Sequence, residues 1–217
     1  MKFNGITSSS RKIHQGVPLG SVLSPLLFIF YINNLAKLFP TDTINCMFAD
    51  DVSILATHRD KQKATESVQR AVDIVVDWCA EWKLKLNATK SEVSFFSSWT
   101  GDAKWEPTIN INGAAIRYNP HPVLLGVTLD RQLTFGTHAE NVAERAVGKN
   151  RMLAALSHSD WGWKRDTLKC IYLSSIRSIL DYAAPAWQPW LSKTNIALLD
   201  RTQNKSLRLI SGQYVAH

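Results

Sequence analysis

The sequence predicts an α+β protein, with a β-containing region over residues 1–133 and a helical region over 134–217. Three observations carry that reading. Short apolar runs bounded by turn residues fill 44–56 and 108–130, whereas 137–157, 164–181 and 193–211 repeat their apolar residues at three- and four-residue steps. Asn112-Gly113 inside Ile-Asn-Gly-Ala-Ala-Ile is a hairpin signal, because both residues tolerate a positive φ. The charge changes where the pattern does: residues 144–217 carry 11 Lys and Arg against 5 Asp and Glu, and residues 1–143 carry 14 against 13.

The elements follow in order. Residues 1–22 are rich in Gly, Ser and Pro and read as loop. Leu23 to Phe39 reads as a helix with Ser24 as N-cap and Pro25 at its first position, where a missing N–H is harmless. Residues 44–49 and 52–56 are apolar strands joined by a two-residue turn, Asp50-Asp51. A long helix over 60–86 buries Val68, Val72, Val75, Cys79 and Trp82, with Glu66, Arg70, Asp73 and Asp77 outside. A strand at Glu92–Ser97 and a continuous apolar strand at Val123–Leu129 complete the β region.

Composition excludes several classes. The three cysteines, Cys46, Cys79 and Cys170, lie in apolar stretches without metal-ligand spacing and read as buried thiols. No apolar run approaches the ~20 residues a membrane span needs, and the opening MKFNGITSSSRK has no signal-peptide core. The expectation is a soluble, intracellular protein with no membrane partner. At a net charge of +7 concentrated in the last third, the partner expected first is a polyanion such as nucleic acid. The tryptophans Trp78, Trp82, Trp161, Trp163, Trp187 and Trp190 sit in or beside helices and read as packing anchors. His14, His121 and His138 read as residues without a special role.

The stretch Phe48-Ala49-Asp50-Asp51 raises a chemical question. Two buried adjacent carboxylates need a cationic partner, and no Lys or Arg occurs between Lys37 and Arg59. A hard divalent cation such as Mg²⁺ meets the need through oxygen ligands. A solvent-exposed turn meets it equally, with nothing to neutralise, and the residues alone leave both readings open.

The wider wording adds to them. Gln15-Gly16-Val17-Pro18-Leu19-Gly20-Ser21-Val22-Leu23-Ser24-Pro25, followed by Phe48-Ala49-Asp50-Asp51, resembles motifs B and C of reverse transcriptases, in the form used by LINE-type, non-LTR retrotransposons. Trp82 to Glu92 looks like motif D, with Lys90 at its proton-donating lysine. Leu124-Leu125-Gly126-Val127 resembles the primer-grip strand, and Asp181-Tyr182-Ala183-Ala184-Pro185-Ala186-Trp187 the thumb-side tail. The resemblance implies a partial polymerase palm, an antiparallel sheet with helices on one face, followed by a helical thumb. It implies RNA-directed DNA polymerisation on an RNA template and DNA primer from deoxynucleoside triphosphates, using two Mg²⁺ ions. Asp50 and Asp51 would be catalytic metal ligands, and Lys90 the acid toward pyrophosphate. Gln15, Gly16, Pro18, Gly20 and Ser21 would touch nucleotide and template, and Phe48, Ala49, Leu125 and Gly126 the primer. Arg145, Lys149, Arg151, Lys164, Arg165 and Lys169 would meet the nucleic-acid backbone.

Two departures qualify the resemblance. Leu19 replaces the family's usual Gln, and no carboxylate precedes Asp42, although the family's motif A aspartate lies upstream of motif B. The expectation is a C-terminal palm segment with an incomplete metal site, inactive as an isolated chain. The alternatives are a catalytically inactive remnant that keeps only nucleic-acid binding, and an unrelated intracellular α/β protein.

Overall fold

The computed structural model describes residues 2–3, 6–7, 16, 20–102, 104–157 and 162–212. They form two compact units, one within Met1–Ser91 and Thr108–Ile116, the other within Glu92–Pro107 and Arg117–His217. This division differs from the 133/134 pattern boundary, because Val127 and Leu129 pack into the core built by the helices. The architecture is α+β. Among the described residues the strands form five separate two-stranded pairs, and the single antiparallel sheet expected of a palm is not among them.

The first unit contains the paired strands β1 (Lys2–Phe3) and β2 (Ile6–Thr7), in a stretch expected to be loop. Helix α1 (Ser24–Ile32) follows, then a 3₁₀ turn at Leu35–Lys37, where one long helix to Phe39 was expected. Leu23 rather than Ser24 is the N-cap, and no side chain caps it. Next come the hairpin β3 (Thr43–Phe48) and β4 (Asp51–Ala56), and helix α2 (Lys61–Glu81).

Helix α2 is bounded by local chemistry. The Asp60 carboxylate accepts from the Gln62 N–H at 2.9 Å, satisfying a donor that the first turn leaves free. At the other end Lys83 is left-handed at φ 57°, and the Leu84 N–H reaches back to the Cys79 carbonyl at 2.8 Å. That is a Schellman stop, with Leu84 packed in the same cluster as Cys79.

The buried face of α2 is Ser67, Ala71, Val75, Trp78 and Cys79. It is rotated from the expected stripe, and Val68 and Val72 are only half-buried. Trp78 and Trp82, one turn apart, stack with 5.5 Å between centroids. Tyr31 of α1 meets Trp82 edge-on at 5.2 Å and donates its hydroxyl to the Trp82 carbonyl. Aromatic pairs of this kind add about 0.5–1.5 kcal/mol beyond simple burial. The short hairpin β6 (Asn110–Ile111) and β7 (Ala114–Ala115) turns through Asn112-Gly113, with φ 52° and 78°, as expected. Gln69 clasps its edge, accepting from the Asn110 N–H at 2.8 Å and donating to the Asn110 carbonyl at 2.9 Å.

In the second unit β5 (Glu92–Val93) is shorter than expected and pairs in parallel with β8 (Arg117–Tyr118). The predicted continuous strand at 123–129 is instead a hairpin, β9 (Val123–Leu124) and β10 (Val127–Thr128), turning through Leu125-Gly126 at φ 46° and 82°. Positive φ at both central positions is the geometry whose twist matches the flanking strands, and Gly126 makes it accessible.

Three helical expectations hold closely: α3 (Gly136–Leu156), a continuous run of α4 (Arg165–Ile171), a π-helical turn at Tyr172–Arg177 and α5 (Ser178–Asp181), and, beyond a short unexpected helix α6 (Ala184–Trp187), α7 (Lys193–Ser211). Ala139, Val142, Ala143, Ala146, Asn150 and Leu153 recur at three- and four-residue steps on α3 and are buried. Among the described residues no helix is long and apolar enough to cross a membrane. Cys79 is buried, and burial pushes its thiol pKa up; Cys46 and Cys170 are exposed, contrary to expectation. Trp163 and Trp190 are also exposed, so they are not the packing anchors expected, whereas Trp187 is fully buried. Trp161 and His14 lie outside the described residues.

Candidate functional site

The acid pair occupies the tip of the β3–β4 hairpin. Phe48 pairs with Asp51, so the two turn residues are Ala49 and Asp50, one position earlier than expected. Ala49 carries the positive φ, 52°, at a position where glycine or asparagine is usual. Residues opposite each other across an antiparallel pair share a face. Asp51 therefore shares the outer face with Phe48, Cys46, Ser53 and Leu55, while Met47 and Ile54 on the inner face pack toward α2. Asp50 and Asp51 are both exposed. Their hydration is retained, so the local fold needs no cation to offset desolvation.

The hairpin is anchored at its other end. Arg70 of α2 forms an ion pair with Asp42 at 2.6 Å, and the Ser67 hydroxyl donates to the same oxygen at 2.7 Å. The Ser67 hydrogen bond first, and Arg70 with it, hold the Asp42 carboxyl below its ordinary pKa.

Lys90 is positioned by the residues before it. Beyond the Schellman stop, half-buried Leu84 and Leu86 alternate with exposed Lys83, Lys85 and Asn87. The Asn87 side-chain oxygen accepts from the N–H groups of Thr89 and Lys90 at 3.2 and 3.3 Å, and the Asn87 carbonyl from Lys90 N–H at 3.0 Å. This turn sends the Lys90 side chain into solvent.

Of the nucleotide and template candidates, Gln15 and Pro18, with Leu19, lie outside the described residues. Gly16 and Gly20 are left-handed, at φ 86° and 84°, and a Cβ on either would meet nothing within 4 Å. Backbone conformation, not crowding, is what calls for glycine there. Ser21 is exposed, and its hydroxyl accepts from the Leu23 N–H at 3.4 Å beside the start of α1.

In the second unit Gly126 and Arg145 line the same shallow depression of about 310 Å³, together with Thr128, His138, Asn141 and Glu144. A primer candidate and a backbone candidate are thus brought together. Lys149 and Arg151 of α3, and Lys164, Arg165 and Lys169 around the start of α4, are all exposed. Arg165 also donates to the Ser211 carbonyl at 3.3 Å, tying α4 to the end of α7.

The sequence marks Trp187 as a packing anchor but gives His138 no special role and Tyr182 none beyond its place in the thumb-side tail. His138 is buried on α3, and its Nδ1 accepts from the Thr128 N–H at 3.2 Å. Its ring meets Trp187 edge to face at 4.9 Å. Trp187 Nε1 donates to the Tyr182 carbonyl at 2.9 Å, and the Tyr182 hydroxyl donates to the Leu125 carbonyl at 2.8 Å. The signal available in the sequence was Gly126 inside an apolar run, which marks a turn more often than a strand interior.

Comparisons with known proteins place these features in a family. A family model described as reverse transcriptase (RNA-dependent DNA polymerase) matches residues 1–129, and the chain belongs to that family. Among its relatives, the RNA-directed DNA polymerase from mobile element jockey of Drosophila melanogaster is 29% identical over 96% of this chain and 23% of its own length. The probable RNA-directed DNA polymerase from transposon X-element of the same fly is 27% identical over 98% of this chain and 23% of its own. A Pol polyprotein of the type-1 retrotransposable element R1 2 of Nasonia vitripennis is 24% identical over 79% of this chain and 43% of its own. The chain therefore spans about a quarter of the length of the first of these relatives. Their names, all of polymerases or Pol polyproteins of mobile elements, do not favour the binding-only alternative. No solved structure matches the chain.

Proposed function

We propose that this chain is the part of a non-LTR retrotransposon reverse transcriptase that carries the acidic turn of the palm and, beyond it, the primer grip and thumb. Its substrates on this reading are an RNA template, a DNA primer and deoxynucleoside triphosphates. The observation that supports it best is the exposed hairpin tip, where Phe48, Ala49, Asp50 and Asp51 stand together with both carboxylates free to take a ligand.

Carboxylate oxygens are the donors Mg²⁺ takes, so Asp50 and Asp51 suit it in kind. They do not suffice in number: among the described residues no three His, Cys, Asp or Glu gather into a metal cluster. On this reading Asp50 and Asp51 would supply one part of a metal site. Lys90 on its Asn87-built turn is the candidate acid toward the leaving pyrophosphate. Phe48 and Ala49 on one hairpin, and Leu125 and Gly126 on the other, are the candidate primer contacts. Arg145, Lys149, Arg151, Lys164 and Lys169 supply cations for phosphates, and Arg165 does so while also bracing α7.

The exposed apolar surface of the first unit supports a part of a larger body. Ile44 and Phe48 on the outer hairpin face are 65% and 62% exposed, and Phe30 on α1 is 84% exposed. Such faces are usually covered by further structure.

Primer extension on poly(rA)/oligo(dT) with Mg²⁺ tests the reading. The expected result is no incorporation by the isolated chain, and incorporation sensitive to Asp50→Asn once an upstream polymerase segment of a relative is added. Incorporation by the isolated chain that Asp50→Asn abolishes would overturn the incomplete-site part. A complemented polymerase indifferent to Asp50→Asn would overturn the assignment of the acidic turn.

A further inference from the structure

The β9–β10 hairpin is tied into its unit at both ends by one connected set of side chains. At its base the Thr128 N–H is held by His138 Nδ1 at 3.2 Å. His138 packs edge to face on the fully buried Trp187, 4.9 Å between centroids. The Trp187 indole N–H holds the Tyr182 carbonyl at 2.9 Å. The Tyr182 hydroxyl then returns to the same hairpin, donating to the Leu125 carbonyl at its tip at 2.8 Å. The tyrosine ring also sits under the turn: a Cβ on Gly126 would lie 3.3 Å from Tyr182 Cε1.

The backbone of this segment is shaped to place the ring there. Tyr182 is extended, at φ −60° and ψ 122°, and Ala183 is left-handed, at φ 50°. A kink of this kind between α5 and α6 is held by the packed Trp187, and an unfavourable conformation at a non-glycine residue persists only where surrounding structure enforces it. Tyr182 itself remains 55% exposed, and Leu125 42%, so the clasp lies at the surface, where a ligand can meet it. A two-residue turn between two-residue strands has few bonds of its own to fix its orientation, and the hydroxyl supplies one from 57 residues away.

We propose that Tyr182 is a positioning residue for nucleic-acid engagement: its hydroxyl bond to Leu125 fixes the Leu125–Gly126 turn in the one orientation that meets the end of the primer strand. The proposal rests on the primer-contact reading of Leu125 and Gly126 given above. Tyr182 touches the turn rather than the reacting atoms, and Trp187 and His138 act through it.

The test uses the whole chain and two labelled RNA–DNA duplexes, one with a recessed DNA 3′-hydroxyl and one blunt. The wild type should prefer the recessed duplex. Tyr182→Phe keeps the ring and removes only the hydroxyl. It should lower that preference about threefold to tenfold and leave the affinity for the blunt duplex unchanged, with the thermal midpoint lowered by no more than the ~2–4 °C that one hydrogen bond is worth. In the free protein the Gly126 amide resonance should shift and its hydrogen exchange should quicken in Tyr182→Phe. A wild type that binds both duplexes equally removes the primer-contact reading, and this proposal with it. A preference that Tyr182→Phe leaves intact, or a Gly126 amide it leaves unchanged, removes the proposal alone. A loss of affinity for both duplexes together, with a midpoint lowered well beyond that of one hydrogen bond, assigns Tyr182 a structural role and equally overturns it.

Discussion

The hydroxyl of Ser206 donates to the side-chain oxygen of Asn150 at 2.6 Å, in the interior between α3 and α7. Asn150 in turn donates to the Thr202 carbonyl at 3.0 Å, and both Asn150 and Ser206 are essentially inaccessible to water. A buried amide is tolerated only when its donors and acceptors are satisfied. Asn150→Leu, with the same number of side-chain heavy atoms branched at Cγ, should lower the unfolding free energy by about 1–3 kcal/mol, because it removes the partner and leaves polar groups behind. Ser206→Ala should lower it too, by stranding the Asn150 oxygen. The double variant should fall short of the sum, since neither group is then left waiting for the other. Urea midpoints of the four proteins check this, and additive losses would show that the two groups are not coupled.

Helix α2 ends on a lysine where the backbone favours glycine. Lys83 sits at φ 57° as the residue after the C-cap, and its side chain is exposed. Lys83→Gly removes the Cβ clash of the left-handed conformation and leaves the Leu84–Cys79 bond in place. The expected result is a gain of about 0.5–1 kcal/mol, measured by thermal or urea unfolding, offset in part by the greater freedom of glycine in the unfolded chain. Lys83→Ala should gain almost nothing, because the strain belongs to the Cβ.

The pH dependence of the second unit follows from His138. Burial first, and the nearby Arg145 second, hold its pKa below the ordinary 6.5. Its Nδ1 accepts from the Thr128 N–H, which requires that nitrogen to be unprotonated. Below the unfolded value of about 6.5 the unfolded chain takes up a proton that folded His138 refuses. The contribution to stability is therefore complete above pH ~6.5 and is lost as the pH falls through the lower folded pKa. Unfolding midpoints between pH 7.5 and 5 should decline in the wild type and decline less in His138→Gln, whose amide oxygen can still accept from Thr128 but cannot charge. Equal slopes in the two proteins would show that other groups govern the acid limb.

How far the sequence could be read depends on what each feature needs. The ends of α3 and α7, and the Asn112-Gly113 turn, rest on local periodicity and turn chemistry, which neighbours do not alter. The turn at the acid pair was placed one residue late, because its positive φ falls on Ala49, a residue that carries no such signal. The 123–129 run reads as one strand because every residue but Gly126 is compatible with it, whereas the contacts that hold it as a hairpin, from His138 and Tyr182, are long-range in the chain. The buried face of α2 is set by what packs on it from other elements, Tyr31 of α1 against Trp78 among them, a tertiary choice that a helical repeat does not reveal. Family membership was legible because motif wording is local, whereas the solvent exposure of Asp50 and Asp51 is a property of the folded surface.

The basic helices separate cations that are free to meet phosphate from one that already has a structural task. Arg145 and Lys149 are exposed one turn apart on α3, so both can approach successive phosphates of one strand. Arg165, by contrast, donates to the Ser211 carbonyl. Duplex affinity should fall as salt rises, since each neutralised phosphate releases condensed counterions. Lys149→Gln should lower the magnitude of the log–log salt slope by about 1 if that side chain contacts one phosphate, with no change in thermal midpoint. Arg165→Gln should lower the slope less and the midpoint more, because its loss frees the end of α7. Titrations between 50 and 300 mM salt, paired with unfolding curves, distinguish the two. If both substitutions left the slope unaltered, neither Lys149 nor Arg165 would contact a phosphate, and both would belong to a solvated surface.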